Sequence, residues 1–138
     1  MIPRLMAGAL SLMPRCREVW ACPGRKNLDG KWLYGLLTGP EHANGNGVVH
    51  GGVLMAFADH GLSFLAWEAA ERAPCTTIQL NTHFLDAIRP GEFIELRGEV
   101  TRRTRGLIFV RGGIVAHHAE RVRDVGAVDG IWRVLRAR

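Results

Sequence analysis

An α+β domain, with a curved antiparallel sheet wrapped around one long central helix, is predicted by three features of this sequence. The stretch from His50 to about Ala70 is apolar on nearly every side. One strand-like segment precedes it and four follow it. The later strands are joined by short turns, and successive strands joined that way pair antiparallel. At 138 residues and 47% apolar composition, the chain can build one core but not two, so residues 1–138 are read as a single domain.

Residues 1–30 are expected to form an N-terminal helix and a loop. Arg4 precedes a short apolar run, Leu5 to Met13, in which Leu5, Met6, Ala9 and Leu12 or Met13 fall on one helical stripe. Arg15, Arg17 and Glu18 follow at once with no small-residue cleavage site, which favours a helix packed on the domain over a signal peptide. Pro14 ends that helix, and Cys22 to Gly30 reads as a loop with Pro23-Gly24 and Asp29-Gly30 as turn signals. Lys31 to Thr38 is predicted as a strand, followed by a Gly- and Asn-rich turn from Gly39 to Gly47.

The helix then carries Val53, Leu54, Met55, Ala56, Phe57, Ala58, Leu62, Phe64, Leu65, Ala66 and Trp67. A helix apolar all round is a buried one, and this one spans roughly 30 Å at about 1.5 Å per residue. Asp59, His60 and Ser63 at its centre argue against a membrane span. From Thr76 to Phe84 the pattern changes to strict alternation. Arg89-Pro90-Gly91 is a turn, and Phe93 to Arg103, Leu107 to His117 and Val122 to Leu135 read as long strands. Turns fall at Thr104-Arg105-Gly106 and His118-Ala119-Glu120, and Asp129-Gly130 is expected to interrupt the last strand, with room for a bend.

The formal charge of +5 invites a nucleic-acid reading, but the arginines are scattered and only Lys26 and Lys31 are lysines. A nucleic-acid footprint usually clusters. A basic excess suits an anionic small ligand equally well. Cys16, Cys22 and Cys75 have no metal-type spacing, and free thiols point to a reduced, cytoplasmic setting.

Asp59 is the first residue that asks for chemistry. Its helical neighbours are Met55, Ala56, Leu62 and Ser63, of which only Ser63 is polar. Burial disfavours a carboxylate, so the group must have a partner, reach a cleft, or be used; a structural Asp bonded to nearby backbone and a working acid are equal readings at this point. His50-Gly51-Gly52 stands where the helix begins, so free N–H groups and the positive end of the helix dipole point outward there. Such donors can stabilise the oxyanion formed when a thioester carbonyl is attacked, although paired glycines also serve a simple tight turn.

Asn44-Gly45-Asn46-Gly47-Val48-Val49-His50-Gly51-Gly52 followed by Asp59 resembles the signature of the phenylacetic-acid-type acyl-CoA thioesterases of the hotdog superfamily. The resemblance runs from about Gly39 to the C-terminus and includes Thr76 to Phe84 and Arg89-Pro90-Gly91. It implies hydrolysis of an acyl-CoA thioester to free acid and coenzyme A, with no cofactor and no metal. Asp59 takes the place of the acid that activates water or attacks the thioester. Gly51 matches the residue whose N–H polarises the carbonyl, His50 and Asn44 match polar groups beside the thioester, and Thr77 matches a Ser or Thr that holds the water. The resemblance further implies a homodimer as the active unit, with Asp59 and Thr77 from one chain meeting Asn44, His50 and Gly51 from the other, and a homotetramer of two dimers. No nucleic acid and no membrane enter as partners.

Other candidates have plainer explanations. His60 lies about 100° round the helix from Asp59, so the pair does not form a ligand set. His117-His118 reads as a solvent-facing strand end, and Cys75 as a small core or turn residue. Arg102, Arg103 and Arg105 suit the phosphates of coenzyme A or a solvated turn, and Ser63 suits the Asp59 carboxylate or its own helix carbonyl. Phe57, Phe64 and Trp67 read as core rather than pocket lining. Two rival functions stay open: a non-catalytic acyl-CoA-binding hotdog module, and a hotdog hydratase or dehydratase.

Overall fold

The computed structural model describes residues 24–28 and 31–135, with side chains from Tyr34 onward. Its elements run β1 (Gly24–Leu28), β2 (Lys31–Leu37), a 3-10 turn (Pro40–His42), α1 (Gly51–Ala69), β3 (Cys75–Phe84), β4 (Phe93–Arg103), β5 (Leu107–His118) and β6 (Arg121–Val134). The N-terminal helix expected over Leu5 to Met13 lies outside the described residues. All strands join one antiparallel sheet in the order β1-β2-β4-β5-β6-β3. β4, β5 and β6 form a meander of short turns. β3 therefore docks on the free side of β6, at the opposite end of the sheet from β1, and the chain crosses the sheet through α1 to reach it.

One face of α1 makes the core. Leu54, Phe57, Ala58, Gly61, Leu62 and Ala66 are its buried positions, spaced by three and four as one helical stripe requires. They pack on Ile94, Leu96, Ile108, Val110, Ile114 and Trp132 of the concave sheet face, all nearly or fully buried. Burying each such Leu or Ile contributes about 1.5–3 kcal/mol. The helix sits close to the sheet because glycines leave room for it. A Cβ on Gly61 would lie 2.4 Å from Leu96 Cδ2, and one on Gly98 2.5 Å from Leu65 Cδ1.

Three expectations are corrected. The expected loop Cys22 to Gly30 contains β1, which pairs with β2 from Gly24 opposite Gly35 to Leu28 opposite Lys31. Its polar Arg-Lys-Asn centre has no strand pattern of its own; the open edge of β2 supplies the backbone partners. Asp129-Gly130 does not interrupt β6, which runs unbroken from Arg121 to Val134. Gly130 pairs with both Leu80 and Val110, and a Cβ there would meet the Gln79 carbonyl at 2.6 Å and the Trp132 ring at 2.7 Å, so the glycine admits close neighbours. The helix is not enclosed on every side within one chain either, since Met55 is 41% exposed and Ala56 is exposed beside it. No helix among the described residues is long and apolar enough to cross a membrane.

The segment entering β4 is fastened to the sheet by Arg123. Its guanidinium bonds Glu92 (Nη1 to Oε1, 2.6 Å), Asp86 (Nε to Oδ2, 2.8 Å) and the Ala87 carbonyl. These bonds hold the Glu92 and Asp86 carboxyls below the usual carboxylate range. The same segment receives the start of the helix, because the Val49 N–H donates to the Ile88 carbonyl (2.8 Å).

Candidate active site

Two clusters of polar groups stand on α1, one at its first residues and one at its middle. The first begins with a loop that closes on itself. Asn44 Oδ1 accepts from the Asn46 and Val48 N–H groups (2.9 and 3.4 Å), and the Asn44 N–H donates to the Val48 carbonyl (2.8 Å). Gly47 takes the left-handed conformation at φ 75°, which favours glycine. The loop ends with the His50 N–H on the His42 carbonyl (2.8 Å), bringing Asn44 back toward His50. With Oδ1 engaged, the Asn44 side chain keeps its two amide hydrogens to offer.

His50 is the N-cap of the helix. Its Nδ1 accepts the Gly52 N–H at 2.9 Å, so the neutral ring carries its proton on Nε2 and presents a donor there. The Val53 and Leu54 N–H groups both turn to the His50 carbonyl (2.9 and 3.3 Å). Among the described residues, Gly51 therefore holds the first-turn N–H to which no acceptor is assigned. It sits at the positive end of the dipole, with the exposed Phe84 ring beside it.

The second cluster joins α1 to β3 and β6. Asp59 is half-buried, and the Thr77 hydroxyl donates to its Oδ1 at 2.7 Å. Thr77 Oγ1 lies 3.5 Å from Ser63 Oγ, and Ser63 Oγ accepts the indole N–H of the fully buried Trp132 at 2.7 Å. Register explains the meeting. Thr77 pairs directly with Trp132 across β3 and β6, and Ser63 follows Asp59 by one turn on the helix above them.

The structure thus brings Asp59 to Thr77, and places Asn44, His50 and Gly51 on one loop and helix start, but it does not bring the two groups together within one chain. Eight residues of helix separate Gly51 from Asp59, about 12 Å along the axis. Trp132 was not singled out from sequence. A donor-only indole in the core must find an acceptor, but which one depends on pairing that the sequence does not display.

The remaining candidates fall elsewhere. His60 packs on the Tyr34 ring (5.4 Å between centroids); burial pushes its pKa down while the adjacent Asp59 pulls it up. The Cys75 thiol lies against the Ala73 carbonyl (3.4 Å), and burial pushes its pKa up, which suits a structural residue rather than a nucleophile. His117 is not a bare strand end: its Nε2 is 2.8 Å from Glu95 Oε2. Arg103 is paired with Glu71 (3.0 Å), and with Thr104 and Arg105 it lines an open cavity of about 460 Å³ past the C-terminal end of α1, far from His50. Among the described residues, no group of three His, Cys, Asp or Glu is gathered to hold a metal ion.

Residues 46–121, more than half of the chain, match the thioesterase superfamily, and the chain belongs to that family. The match spans the helix start, Asp59 and Thr77. Over 111 residues the chain is 25% identical to a Pseudomonas aeruginosa protein named as an esterase, covering 80% of each. Its fold is that of the hotdog thioesterases. The PaaI protein of the E. coli phenylacetic acid degradation operon superposes with a TM-score of 0.67 at 16% identity, over 78% of this chain and 74% of that one. An acyl-CoA hydrolase from Staphylococcus aureus, solved with butyryl coenzyme A, gives 0.72 at 19% identity over 77% and 66%. A hexameric thioesterase from Yersinia pestis gives 0.70 at 18% identity over 74% and 84%.

Proposed function

We propose that this protein is a cytoplasmic acyl-CoA thioesterase that works as a homodimer, two dimers making a homotetramer, with no cofactor. The observation that carries the reading is a half-buried carboxylate on a mostly apolar helix, held by a hydroxyl from the terminal strand of the sheet. β3 pairs only with β6 among the described strands, and its Ile78, Gln79, Asn81 and His83 are exposed. A second β3 can therefore pair with it across a two-fold axis.

The spacing on the helix supports a shared site. A reacting carbonyl needs its carbon about 3–3.5 Å from the attacking oxygen and its own oxygen about 3 Å from the stabilising donor. Gly51 and Asp59 of one chain, about 12 Å apart on a rigid helix, do not meet both conditions. The proposed site therefore takes the N–H from Gly51 of the partner subunit, on a helix running the other way.

In this reading the thioester carbonyl accepts the N–H of Gly51 of the partner subunit, and the Nε2–H of His50 and the amide of Asn44 from that same subunit lie along the thioester. Thr77 holds the water against Asp59. As general base, Asp59 takes a proton from water while the water oxygen bonds to the carbonyl carbon. The tetrahedral intermediate collapses, the C–S bond breaks, and the proton passes to sulfur, releasing acid and coenzyme A. As nucleophile, Asp59 bonds to the carbonyl carbon and coenzyme A leaves as the thiolate; water then opens the mixed anhydride, freeing the acid and Asp59 and supplying the proton that ends on sulfur.

The test is thiol release from a panel of saturated acyl-CoAs by wild type and Asp59→Asn. A general base is worth about 10²–10⁴-fold, so the variant should keep its circular dichroism spectrum and lose at least that lower factor in kcat. Undiminished turnover in the pure variant overturns the assignment. Saturated substrates offer no double bond to a hydratase, and binding without thiol release identifies a non-catalytic module.

A further inference from the structure

The Asp59 cluster does not end at Thr77, and its bond directions can be assigned from the chemistry of its members. An indole N–H only donates, so Ser63 Oγ accepts from Trp132 at 2.7 Å. An ionised carboxylate only accepts, so the single hydroxyl hydrogen of Thr77 goes to Asp59 Oδ1 at 2.7 Å. Thr77 Oγ1 is left with lone pairs, and the oxygen facing it, 3.5 Å away, is Ser63 Oγ, whose own hydrogen is not consumed by the indole. Every dipole in the series Trp132, Ser63, Thr77, Asp59 then points the same way. Its far end is anchored by the largest fully buried side chain among the described residues.

We propose that Ser63 is a positioning residue for the thioesterase reaction, held by Trp132 and acting through Thr77. By facing Thr77 as a donor it keeps the Thr77 hydroxyl turned toward Asp59 Oδ1, and so sets which carboxylate oxygen is presented to water. Ser63 touches neither substrate nor water in this role. The inference rests on the function proposed above. A purely structural account, in which Ser63 only satisfies the indole, predicts a change in stability without a selective change in turnover.

The experiment is a double-mutant cycle in the full-length protein, with thiol release from butyryl-CoA and phenylacetyl-CoA as readout. Ser63→Ala places a good helix former on the helix and removes the hydroxyl. Losing one polar contact of this kind should lower kcat about three- to tenfold and leave KM within twofold. In a Thr77→Val background, which has no hydroxyl to orient, Ser63→Ala should lower kcat no further. Trp132→Phe keeps an aromatic side chain but removes the donor together with the second ring of the indole; in variant protein shown to stay folded, it should reproduce the Ser63→Ala loss in kcat in the Thr77 protein but not in Thr77→Val.

Independent, multiplicative losses from Ser63→Ala and Thr77→Val overturn the proposal, as does a rise in KM at constant kcat. Asp59→Asn run alongside separates the two levels. If it is inactive while Ser63→Ala turns over like wild type, the positioning role fails and the thioesterase reading stands. If Asp59→Asn is itself fully active, the parent reading fails first.

Discussion

A shared site makes a quantitative prediction for mixtures of two inactive variants. Asp59→Asn removes the carboxylate. Gly51→Pro removes the N–H at the first helical position, where proline is well tolerated because that N–H has no helical acceptor. His50 has φ −64° and ψ 134°, the extended conformation that a residue before proline adopts. The new ring would meet Phe84, whose Cζ lies 3.1 Å from where a Cβ on Gly51 would stand, but Phe84 is 55% exposed and can yield. Gly51→Ala meets the same ring and keeps the N–H, which makes it the control. Losing one oxyanion donor costs about 2.7–4 kcal/mol, roughly 100- to 1,000-fold in rate, so each parent should retain about 1% of activity or less. Refolded together in equal amounts, half of the dimers carry one of each chain. In those, one site has both lesions and the other has neither, so about one quarter of wild-type sites return. The assay is thiol release at fixed total protein before and after co-refolding. Activity equal to the mean of the two parents refutes the shared site, because a site complete within each chain cannot be rescued by mixing.

Two further outcomes test the scaffold. Gly61→Ala should destabilise the protein despite gaining about 1 kcal/mol of helix propensity. Its Cβ would stand 2.4 Å from Leu96 Cδ2 and 3.1 Å from Tyr34 Cδ1, both buried, and overpacking costs about 1–3 kcal/mol. A lower urea midpoint at fixed protein concentration is expected, and an unchanged or higher one refutes the packing argument; Gly113→Ala, with only the Gly126 carbonyl at 3.9 Å, is the neutral comparison. Arg123→Met should lower stability by about 2 kcal/mol near neutral pH, less than a fully buried pair because the guanidinium is a third exposed. Glu92 is depressed in the folded state, so its contribution is present above the ordinary glutamate pKa and lost as pH falls through the folded one. The difference between variant and wild type should therefore shrink in acid. A difference independent of pH contradicts the linkage.

Periodicity made most of the fold legible. Alternation marked β3, and the pattern of apolar runs and turn residues placed β4, β5 and β6 within a residue or two of their observed bounds. β1 was missed because Gly24–Leu28 carries no such pattern and owes its conformation to the edge it pairs with. Gly130 was misread because a glycine that ends a strand and one that admits a neighbouring carbonyl look alike in sequence. The helix posed a subtler problem. When every face is apolar, periodicity vanishes, and the stripe that seats on the sheet is indistinguishable from the flank that carries Met55 and Ala56. Asp59 and the His50-Gly51 helix start stood out on physical grounds, whereas Asn44 and Thr77 entered only through the resemblance to a known motif. Ser63 and Trp132, 69 residues apart, meet through strand register and could not be paired beforehand.

A straight helix is a ruler. The Gly51 amide at its start and the Asp59 acid at its middle ride on one stiff element about 12 Å apart along its axis, a gap that a rotamer change within one subunit does not close. If the site is shared between subunits as proposed, turnover is tied to association: at dilutions where subunits part, specific activity should fall with concentration.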